Sequence, residues 1–431
     1  MRGWRSGLEL CGKGPIRGPQ AQKATIMSAQ PQNDGRATAR TRSRIFTGRP
    51  DAGRRWAGRA IQSLVVAAAL AALGVTVGSG SASAATATPA ARLTAPTITG
   101  VTWHQLTLIN GWQSGQSQFA GDGIPAWTVR NGVVYLSGSV VQTSGTNNEF
   151  AVLPPTARPS RVLYMTVFTV AGTQGFVIVH PNGAIQSWAT PYSNAQGLTS
   201  LAGISYPAPS LATHQLALEN GWQSSDSQWG TGDPSYSVSN GMVYLSGSLH
   251  QPAGSNQVFG VLPPAARPAR TIYLSVYTYN GTIGLLEIDT SGTLYAYDGG
   301  AQQYTSLAGV SFPVAWATMN KLALINGWQS AQPTYGTGDP SYSVKNGVVH
   351  LSGSLLQPPA GATGQMFAVL PKAARPTNYL YIKAMVYSPG SVADTGTVVI
   401  TPNGEMYAYS LTASEAQQYT SLAGISYPLG S

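Results

Sequence analysis

The chain has 431 residues, of which 43% are hydrophobic and only 9% are charged, a composition that excludes a disordered chain and leaves room for two to four domains. The net charge of +9 arises within residues 1–60, which hold 13 of the 24 Lys and Arg residues and 3 of the 15 acidic residues. Because the rest of the chain is nearly neutral and has no basic cluster, the sequence argues against nucleic-acid binding.

The first predicted element is a secretory leader over residues 1–84. Three arginines between positions 54 and 59 precede an uncharged apolar run over residues 61–77, and small residues follow up to Ala84. These are the three parts of a signal peptide, so we predict cleavage after Ala84 and a secreted protein without membrane contact after cleavage. An uncleaved anchor is the alternative, since about 20 apolar residues suffice to span a bilayer. Residues 85–104, rich in Ala, Thr and Pro, are predicted to form a flexible linker.

The rest of the chain contains three copies of one pattern of about a hundred residues. Four sequence blocks recur in the same order, and each copy is long enough to form a domain. We therefore predict three domains over residues 105–207, 214–313 and 320–431, called repeats 1, 2 and 3 below. The blocks are N-G-W-Q-S from Asn110, Asn220 and Asn326; N-G-x-V-x-L-S-G from Asn131, Asn240 and Asn346; V-L-P from Val152, Val261 and Val369; and T-S-L-A-G from Thr199, Thr305 and Thr420.

Each repeat has the pattern of β-strands. Residues 133–140 alternate between two faces with a period of two, and the N-G pair before them is typical of a hairpin turn. The proline after Leu153, like its two counterparts, ends a strand because proline donates no ladder hydrogen bond. We predict an all-β fold of three tandem antiparallel β-sandwich domains, jelly-roll-like in type, with no helix in the repeats.

The order of these blocks resembles that of the receptor-binding head domain at the tips of phage tail fibres and minor tail proteins. The shared order is N-G-W, an aromatic-containing polar loop, N-G-V-V-x-L-S-G, L-P-x-x-x-R-P, a hairpin and T-S-L-x-G-I-S-Y-P, and it covers nearly all of residues 106–428 in three copies. The resemblance implies a compact β-sandwich that binds cell-surface glycans without catalysis. The motifs of the family are mainly structural, so the resemblance carries over no ligand residue.

Two features depart from that family. A phage fibre has no cleavable leader, and its heads form homotrimers with one head per chain, whereas here three copies lie on one chain. The segments between the copies, residues 208–215 and 314–321, are about eight residues long and reach about 25 Å when extended. We therefore hypothesise that a monomer with three internal repeats closes into an intramolecular pseudo-trimer.

A site shared by all repeats requires a polar residue at the same place in each. One carboxylate meets this condition, in a Gly-Asp turn 12 or 13 residues after the N-G-W asparagine: Asp122, Asp233 and Asp339. It serves either the turn, through local hydrogen bonds, or a ligand or Ca²⁺. No second carboxylate recurs beside it, no histidine recurs, and the only cysteine, Cys11, lies in the leader. We predict that the protein is not an enzyme and has no catalytic residue, no bound metal and no cofactor.

Aromatic residues are the stronger binding candidates. They are Phe119, Trp229 and Tyr335, nine residues after the N-G-W asparagines in a polar loop, and Trp127, Tyr236 and Tyr342 at the start of the next strand. Such residues form stacking platforms for sugar rings, or else they cover the core. The tryptophans of the N-G-W blocks lie in an apolar frame and are predicted to belong to the core, and Arg158 with its two counterparts is predicted to cover the sandwich edge or to bond loop carbonyls.

These residues favour a secreted, non-catalytic binding protein. The six aromatics and three aspartates above are its ligand-binding candidates, and its expected partner is a surface glycan or another cell-envelope component. Linking three weak sites on one chain gains about a hundredfold in avidity. The alternative is a structural module, or one that contacts protein or cell wall, without a sugar pocket. A polysaccharide-active enzyme is the third candidate.

Overall fold

Short antiparallel strands dominate the computed structural model, which describes residues 101–431 except residues 120, 299, 388–393 and 412. The predicted leader with its cleavage site at Ala84, and the linker up to residue 100, lie outside the described residues. The predicted all-β class is confirmed. That each repeat is a domain of its own stays a prediction.

The described part of repeat 1 contains eleven strands. They are β1 (His104–Gln105), β2 (Trp112–Ser114), β3 (Ala126–Arg130), β4 (Val133–Ser137), β5 (Ser139–Gln142), β6 (Glu149–Val152), β7 (Leu163–Phe168), β8 (Gln174–Val179), β9 (Ala184–Ala189), β10 (Thr199–Ser200) and β11 (Ser205–Pro207). The helical segments are one short α-helix, α1 (Tyr192–Gly197), and the 3₁₀ turns Gly115–Ser117, Pro155–Ala157 and Val170–Gly172.

Repeat 2 has eleven strands in the same order among its described residues. They are β12 (His214–Gln215), β13 (Gln223–Ser224), β14 (Ser235–Ser239), β15 (Met242–Ser246), β16 (Ser248–His250), β17 (Val258–Val261), β18 (Ile272–Tyr277), β19 (Ile283–Ile288), β20 (Thr293–Tyr297), β21 (Thr305–Ser306) and β22 (Ser311–Pro313). The helical segments are α2 (Asp226–Trp229) and the 3₁₀ turns Pro264–Ala266 and Tyr279–Gly281.

Repeat 3 follows the same order within its described ranges. Its strands are β23 (Asn320–Lys321), β24 (Gln329–Ser330), β25 (Ser341–Lys345), β26 (Val348–Ser352), β27 (Ser354–Leu356), β28 (Met366–Val369), β29 (Leu380–Val386), β30 (Asp394–Ile400), β31 (Glu405–Ser410), β32 (Thr420–Ser421) and β33 (Ser426–Pro428). The helical segments are α3 (Gln332–Tyr335), α4 (Ala413–Gln418) and the 3₁₀ turns Pro359–Gly361 and Lys372–Ala374.

Each repeat builds the same sheets. In repeat 1 they have the strand orders β1-β3-β4-β11, β10-β5-β2 and β6-β9-β8-β7, and repeat 2 has the corresponding three. We call the sheet β6-β9-β8-β7, with its counterparts β17-β20-β19-β18 and β28-β31-β30-β29, the meander sheet. In repeat 3 the meander sheet joins the three-stranded sheet through the pairing of Val386 with Thr420. Single bridges, Thr169 to Thr199 and Thr278 to Thr305, occur at the same place in the other two repeats.

The buried core of each repeat includes the tryptophan of its N-G-W block. Trp112 is 3% exposed, and its Nε1 donates a hydrogen bond to the backbone oxygen of Asn147 at 2.8 Å. Trp222 and Trp328 are buried with equivalent hydrogen bonds, which satisfy the one indole donor. Their predicted core role is confirmed. Arg158 Nε donates to the backbone oxygen of Leu153 at 2.9 Å, which confirms the predicted bond to a loop carbonyl.

The structure differs from the sequence prediction in its helices. The sequence predicts none, whereas four short α-helices lie among the described residues of the repeats. The longest, α1 and α4, have six residues, fewer than two turns. Apolar residues cannot repeat at the helical spacing over so short a segment, so no periodic signal marks it.

The repeats contact one another in a cycle. One strand of each meander sheet lies at the centre of this cycle. These strands are β7, β18 and β29, and each packs against the other two. Three equivalent glycines at positive φ lie against a strand of another repeat. An added Cβ would lie 2.7 Å from Ile382 Cγ2 at Gly203, 3.1 Å from Met165 Cγ at Gly309, and 2.5 Å from Leu274 Cδ2 at Gly424. Repeat 1 thus packs on repeat 3, repeat 2 on repeat 1, and repeat 3 on repeat 2.

The N-G hairpin turns between β3 and β4 and their counterparts follow the same cycle. Ser239 Oγ donates to the backbone oxygen of Asn131 at 3.0 Å, and Asn346 Nδ2 donates to Asn240 Oδ1 at 2.8 Å. Arg130 Nη2 closes the series by donating to the backbone oxygen of Asn346 at 3.4 Å. Each turn therefore contacts the turn of a neighbouring repeat.

A buried cluster lies beside these turns. The hydroxyls of Tyr135 and Tyr244 are 3.1 Å apart, and repeat 3 has His350 at the equivalent position. His350 is 3% exposed, and burial lowers its pKa to about 4. The imidazole is therefore neutral at neutral pH. It lies in β26, at the place that the two tyrosines occupy in the other repeats.

Alanine substitution at two glycines tests the packing between repeats. Gly203 and Gly336 both have positive φ, so Ala at either position costs about 1–2 kcal/mol in backbone strain. Only at Gly203 would the new methyl clash with another repeat, at the buried Ile382. We expect Gly203→Ala to lower the free energy of unfolding by about 1–3 kcal/mol more than Gly336→Ala. Urea denaturation of both variants measures this difference. Equal losses would contradict the packing.

Candidate functional site

The three recurrent aspartates do not occupy equivalent positions. Asp122 bonds Ser139 where Thr231 bonds Ser248 and Thr337 bonds Ser354. Ile124 stands where the other two repeats have Asp233 and Asp339.

The surroundings of the three aspartates also differ. Asp122 is 2% exposed and accepts a hydrogen bond from Ser139 Oγ at 3.0 Å; burial raises its pKa to about 6. Asp233 is exposed. Asp339 pairs with Lys321 Nζ at 2.5 Å, and the hydrogen bond from Lys321 lowers its pKa. The three carboxylates are therefore not three copies of one site.

The strand aromatics Trp127, Tyr236 and Tyr342 pack against the cores of their own repeats and are half-buried. The Trp127 ring stacks on His104 with centroids 4.5 Å apart, and the Tyr236 ring stacks on His214 at 5.2 Å. These residues cover the core from one side. Only part of each ring therefore remains for a ligand.

Two of the three loop aromatics, Trp229 and Tyr335, lie at the boundaries between repeats. Phe119 follows a 3₁₀ turn, whereas Trp229 and Tyr335 end α2 and α3, and all three are half-buried. The Trp229 ring meets Tyr304 at a centroid distance of 5.4 Å, and the Tyr335 ring meets Tyr419 at 4.8 Å. Tyr304 and Tyr419 in turn contact rings of a neighbouring repeat. The structure thus brings Trp229 and Tyr335 into aromatic clusters that the sequence does not reveal.

We call these boundaries seams. The first seam, between repeats 1 and 2, contains Tyr164, Phe176 and Trp188 of repeat 1 and Trp229, Tyr277 and Tyr304 of repeat 2. The second seam, between repeats 2 and 3, contains Tyr273, Leu285 and Tyr297 of repeat 2 and Tyr335, Met385, Tyr387 and Tyr419 of repeat 3. The third seam, between repeats 3 and 1, contains Tyr381 and Lys383 of repeat 3 and Phe168 of repeat 1.

A near-parallel pair of aromatic rings lies on the outer face of each meander sheet. The pairs are Phe176 with Trp188, Tyr295 with Tyr297, and Tyr407 with Tyr409, with centroids 6.5, 5.9 and 6.1 Å apart and interplanar angles of 11°, 6° and 15°. Trp188 is 37% exposed, and the four tyrosines are half-exposed. Alternate residues of β20, such as Leu294 and Ala296, are buried in the core, so the tyrosines point away from it.

Carboxylates lie beside the tyrosine pairs. Glu287 accepts hydrogen bonds from the hydroxyls of Tyr297 at 3.0 Å and Tyr273 at 3.4 Å. Glu405 accepts one from Tyr407 at 3.2 Å. Burial and the neighbouring glutamate raise the pKa of Tyr273 and of Tyr407 to about 12, so both hydroxyls stay protonated at neutral pH. The surface therefore combines apolar ring faces with hydrogen-bonding oxygens.

These pairs are not among the residues predicted from the sequence, although their signal is present in it. The pattern Y-x-Y in β20 and β31 places two rings on one face of a strand. The pattern does not recur in all three repeats, because Gln186 and Trp188 occupy these positions in repeat 1. Aromatic character, not identity, is what the three meander sheets share.

No protein-family model, no curated protein and no solved structure matches this chain. The resemblance to phage tail-fibre heads therefore stays a prediction. Within the described ranges, no three or more His, Cys, Asp or Glu residues come together in a way that could hold a metal ion. None of the helices in that part of the chain has the length and hydropathy of a membrane span.

The opposite surroundings of Asp122 and Asp339 predict opposite pH effects on stability. The pKa of Asp122 rises from 3.8 to about 6 on folding, so the folded chain binds the proton more tightly than the unfolded chain. The free energy of unfolding then falls by up to about 3 kcal/mol as pH rises from 3.8 to about 6. We expect Asp122→Asn to abolish this loss, as measured by urea denaturation at pH 3.5, 5 and 7.

Asp339→Asn serves as the control with the opposite sign. The pKa of Asp339 is lower in the folded chain than in the unfolded chain, so the ionised carboxylate stabilises the folded chain above pH 3.8. This stabilisation is lost as the pH falls through the pKa of the folded chain. The substitution should therefore lower stability at pH 7 and leave it nearly unchanged at the acid end. An Asp122→Asn variant that keeps the pH profile of the parent protein would contradict the burial of the Asp122 carboxylate.

Proposed function

We propose that the protein is a non-catalytic carbohydrate-binding protein whose ligands stack on the aromatic surfaces of the meander sheets and seams. The observation that carries the proposal is the near-parallel ring pair on each meander sheet, half-exposed in repeats 2 and 3 and bordered there by glutamates. Aromatic faces stack on the apolar faces of sugar rings, and carboxylate oxygens accept hydrogen bonds from sugar hydroxyls. Three such surfaces on one chain favour a polymeric ligand that several of them bind together.

The alternative function, a structural module without a sugar pocket, draws on a different observation. Trp229 and Tyr335 pack at the seams, where part of each ring holds neighbouring repeats together. Under this alternative the remaining exposed rings contact protein or cell wall. The two functions differ in whether an isolated polysaccharide binds.

We also propose that the protein is exported and acts on a surface glycan or another component of a cell envelope. The arginines, the apolar run and the small residues up to Ala84 support export. Mass spectrometry of the protein recovered from the medium of an expressing bacterium should give Ala85 as the first residue. An intact leader on a membrane-associated protein would support an uncleaved anchor instead.

Removal of one tyrosine pair tests the proposed binding surface. Tyr295→Ala with Tyr297→Ala deletes the platform of repeat 2, and each ring contributes about 0.5–1.5 kcal/mol to stacking. We expect about tenfold weaker binding to whichever polysaccharide the parent protein retains from a panel of cellulose, chitin, peptidoglycan, mannan and dextran. Affinity electrophoresis measures the soluble members and pull-down the insoluble ones.

Trp316→Ala is the matched control for this experiment. Trp316 is 65% exposed and lies beside Lys345, away from the meander-sheet ring pairs, so its removal should leave binding unchanged. Failure of the parent protein to bind any member of the panel would favour the structural alternative. Equal losses in the tyrosine and Trp316 variants would contradict the proposed location.

A further inference from the structure

A cleft of about 350 Å³ lies between repeats 1 and 2. This volume falls within the range of small-molecule sites. Ser160 and Arg161 of repeat 1 form part of one wall, Asp233 and Ser235 of repeat 2 form part of the other, and Thr213 of the connecting segment also lines it. The lining thus includes several hydroxyl groups and two charged groups, contributed by both repeats.

Two opposite charges in this cleft are exposed and unpaired. Arg161 and Asp233 make no side-chain hydrogen bond or salt bridge with any other residue in the described ranges. The stem of Arg161 packs on Gly232, where an added Cβ would lie 2.9 Å from Arg161 Cγ. The aliphatic stem of Arg161 therefore lies beside the turn that carries Asp233. Both groups are free to bind a ligand.

The equivalent position between repeats 2 and 3 has the same charges but is already paired. Arg270 replaces Arg161, Asp339 replaces Asp233, and Lys321 stands where repeat 2 has Gln215. Lys321 Nζ forms a salt bridge with Asp339 at 2.5 Å, and the positive charge of Arg270 also lowers the pKa of this carboxylate. A ligand at this position would have to compete with a lysine of the chain itself.

The position between repeats 3 and 1 lacks both charged groups. Asn378 replaces the arginine, and its side chain lies against Gly123. Ile124 stands where the other two repeats have Asp233 and Asp339, so this position has no carboxylate equivalent to theirs. Among the three equivalent positions, only the one between repeats 1 and 2 combines an open cleft with a free guanidinium and a free carboxylate.

We propose that the cleft between repeats 1 and 2 binds a carboxylated sugar residue, with Arg161 holding the sugar carboxylate and Asp233 accepting hydrogen bonds from its hydroxyls. The assignment rests on the proposed function in taking the ligand to be a saccharide. A guanidinium binds a carboxylate through two parallel hydrogen bonds, which a neutral sugar cannot supply. A sugar has several hydroxyl groups that can donate hydrogen bonds to Asp233 and to the serine and threonine oxygens of the cleft, whereas an inorganic anion does not.

The test uses trigalacturonic acid as the probe and its methyl ester as the uncharged match. Isothermal titration of the full protein should give at least tenfold tighter binding of the acid than of the ester. Arg161→Gln should weaken binding of the acid by roughly 10- to 100-fold and remove this preference, because charge-assisted hydrogen bonds are lost. The same substitution at the equivalent position, Arg270→Gln, should change the affinity by less than twofold.

Gln215→Lys provides a second, independent variant. It introduces at the open cleft the lysine that pairs with Asp339 in repeat 3, so the new lysine should pair with Asp233 and weaken binding of the acid at least tenfold. The unfolding midpoint of each variant should match that of the parent protein, since the substituted side chains are exposed. Equal binding of acid and ester, or equal effects of Arg161→Gln and Arg270→Gln, would overturn the assignment.

The outcomes separate this assignment from the proposed function. If trigalacturonic acid does not bind while a neutral polysaccharide still binds through Tyr295 and Tyr297, only the assignment of the cleft fails. If neither trigalacturonic acid nor any polysaccharide of the panel binds, the proposed function fails with it.

Discussion

The mutual packing of β7, β18 and β29 is the contact on which the rest of the structure depends. In each of these strands alternate residues enter the core of their own repeat, as Ile272 and Leu274 do in β18. The residues between them, such as Tyr273, face a neighbouring repeat. Both faces of the strand are therefore covered, as in strands buried within a domain. A repeat without its neighbours would leave a large apolar patch in water.

This packing also determines where the candidate sites lie. The aromatic faces of the meander sheets of repeats 1 and 2 are partly covered by the next repeat and border the seams to which two repeats contribute. The three seams have the same backbone arrangement but different side chains. The third has Lys383, whose Nζ donates to a backbone oxygen of repeat 1 and whose pKa burial lowers to about 8. Ligand sites commonly lie at such boundaries between packed units.

The sequence predicts features that depend on one repeat and misses those that depend on two. The alternation in residues 133–140 and the apolar surroundings of Trp112 are local, and both lead to the observed strands and core. Each of the three aspartates follows a glycine in the sequence, yet Asp122 is buried and Asp233 is exposed because they occupy different positions in the loop: Asp122 lies where repeat 2 has Thr231. Likewise, Y-x-Y in β20 reveals a shared strand face, but only the packing of repeat 3 beside it reveals the seam.

Small-angle X-ray scattering of residues 101–431 tests most directly whether the three repeats form one closed body in solution. A compact chain of this length has a radius of gyration of about 20 Å. The cyclic packing predicts this value and a single-peaked distance distribution. A radius of gyration near 30 Å would contradict it, together with the extended distance distribution of three separate bodies whose own radii of gyration are about 13 Å. The seams, and every site placed at them, would then be lost.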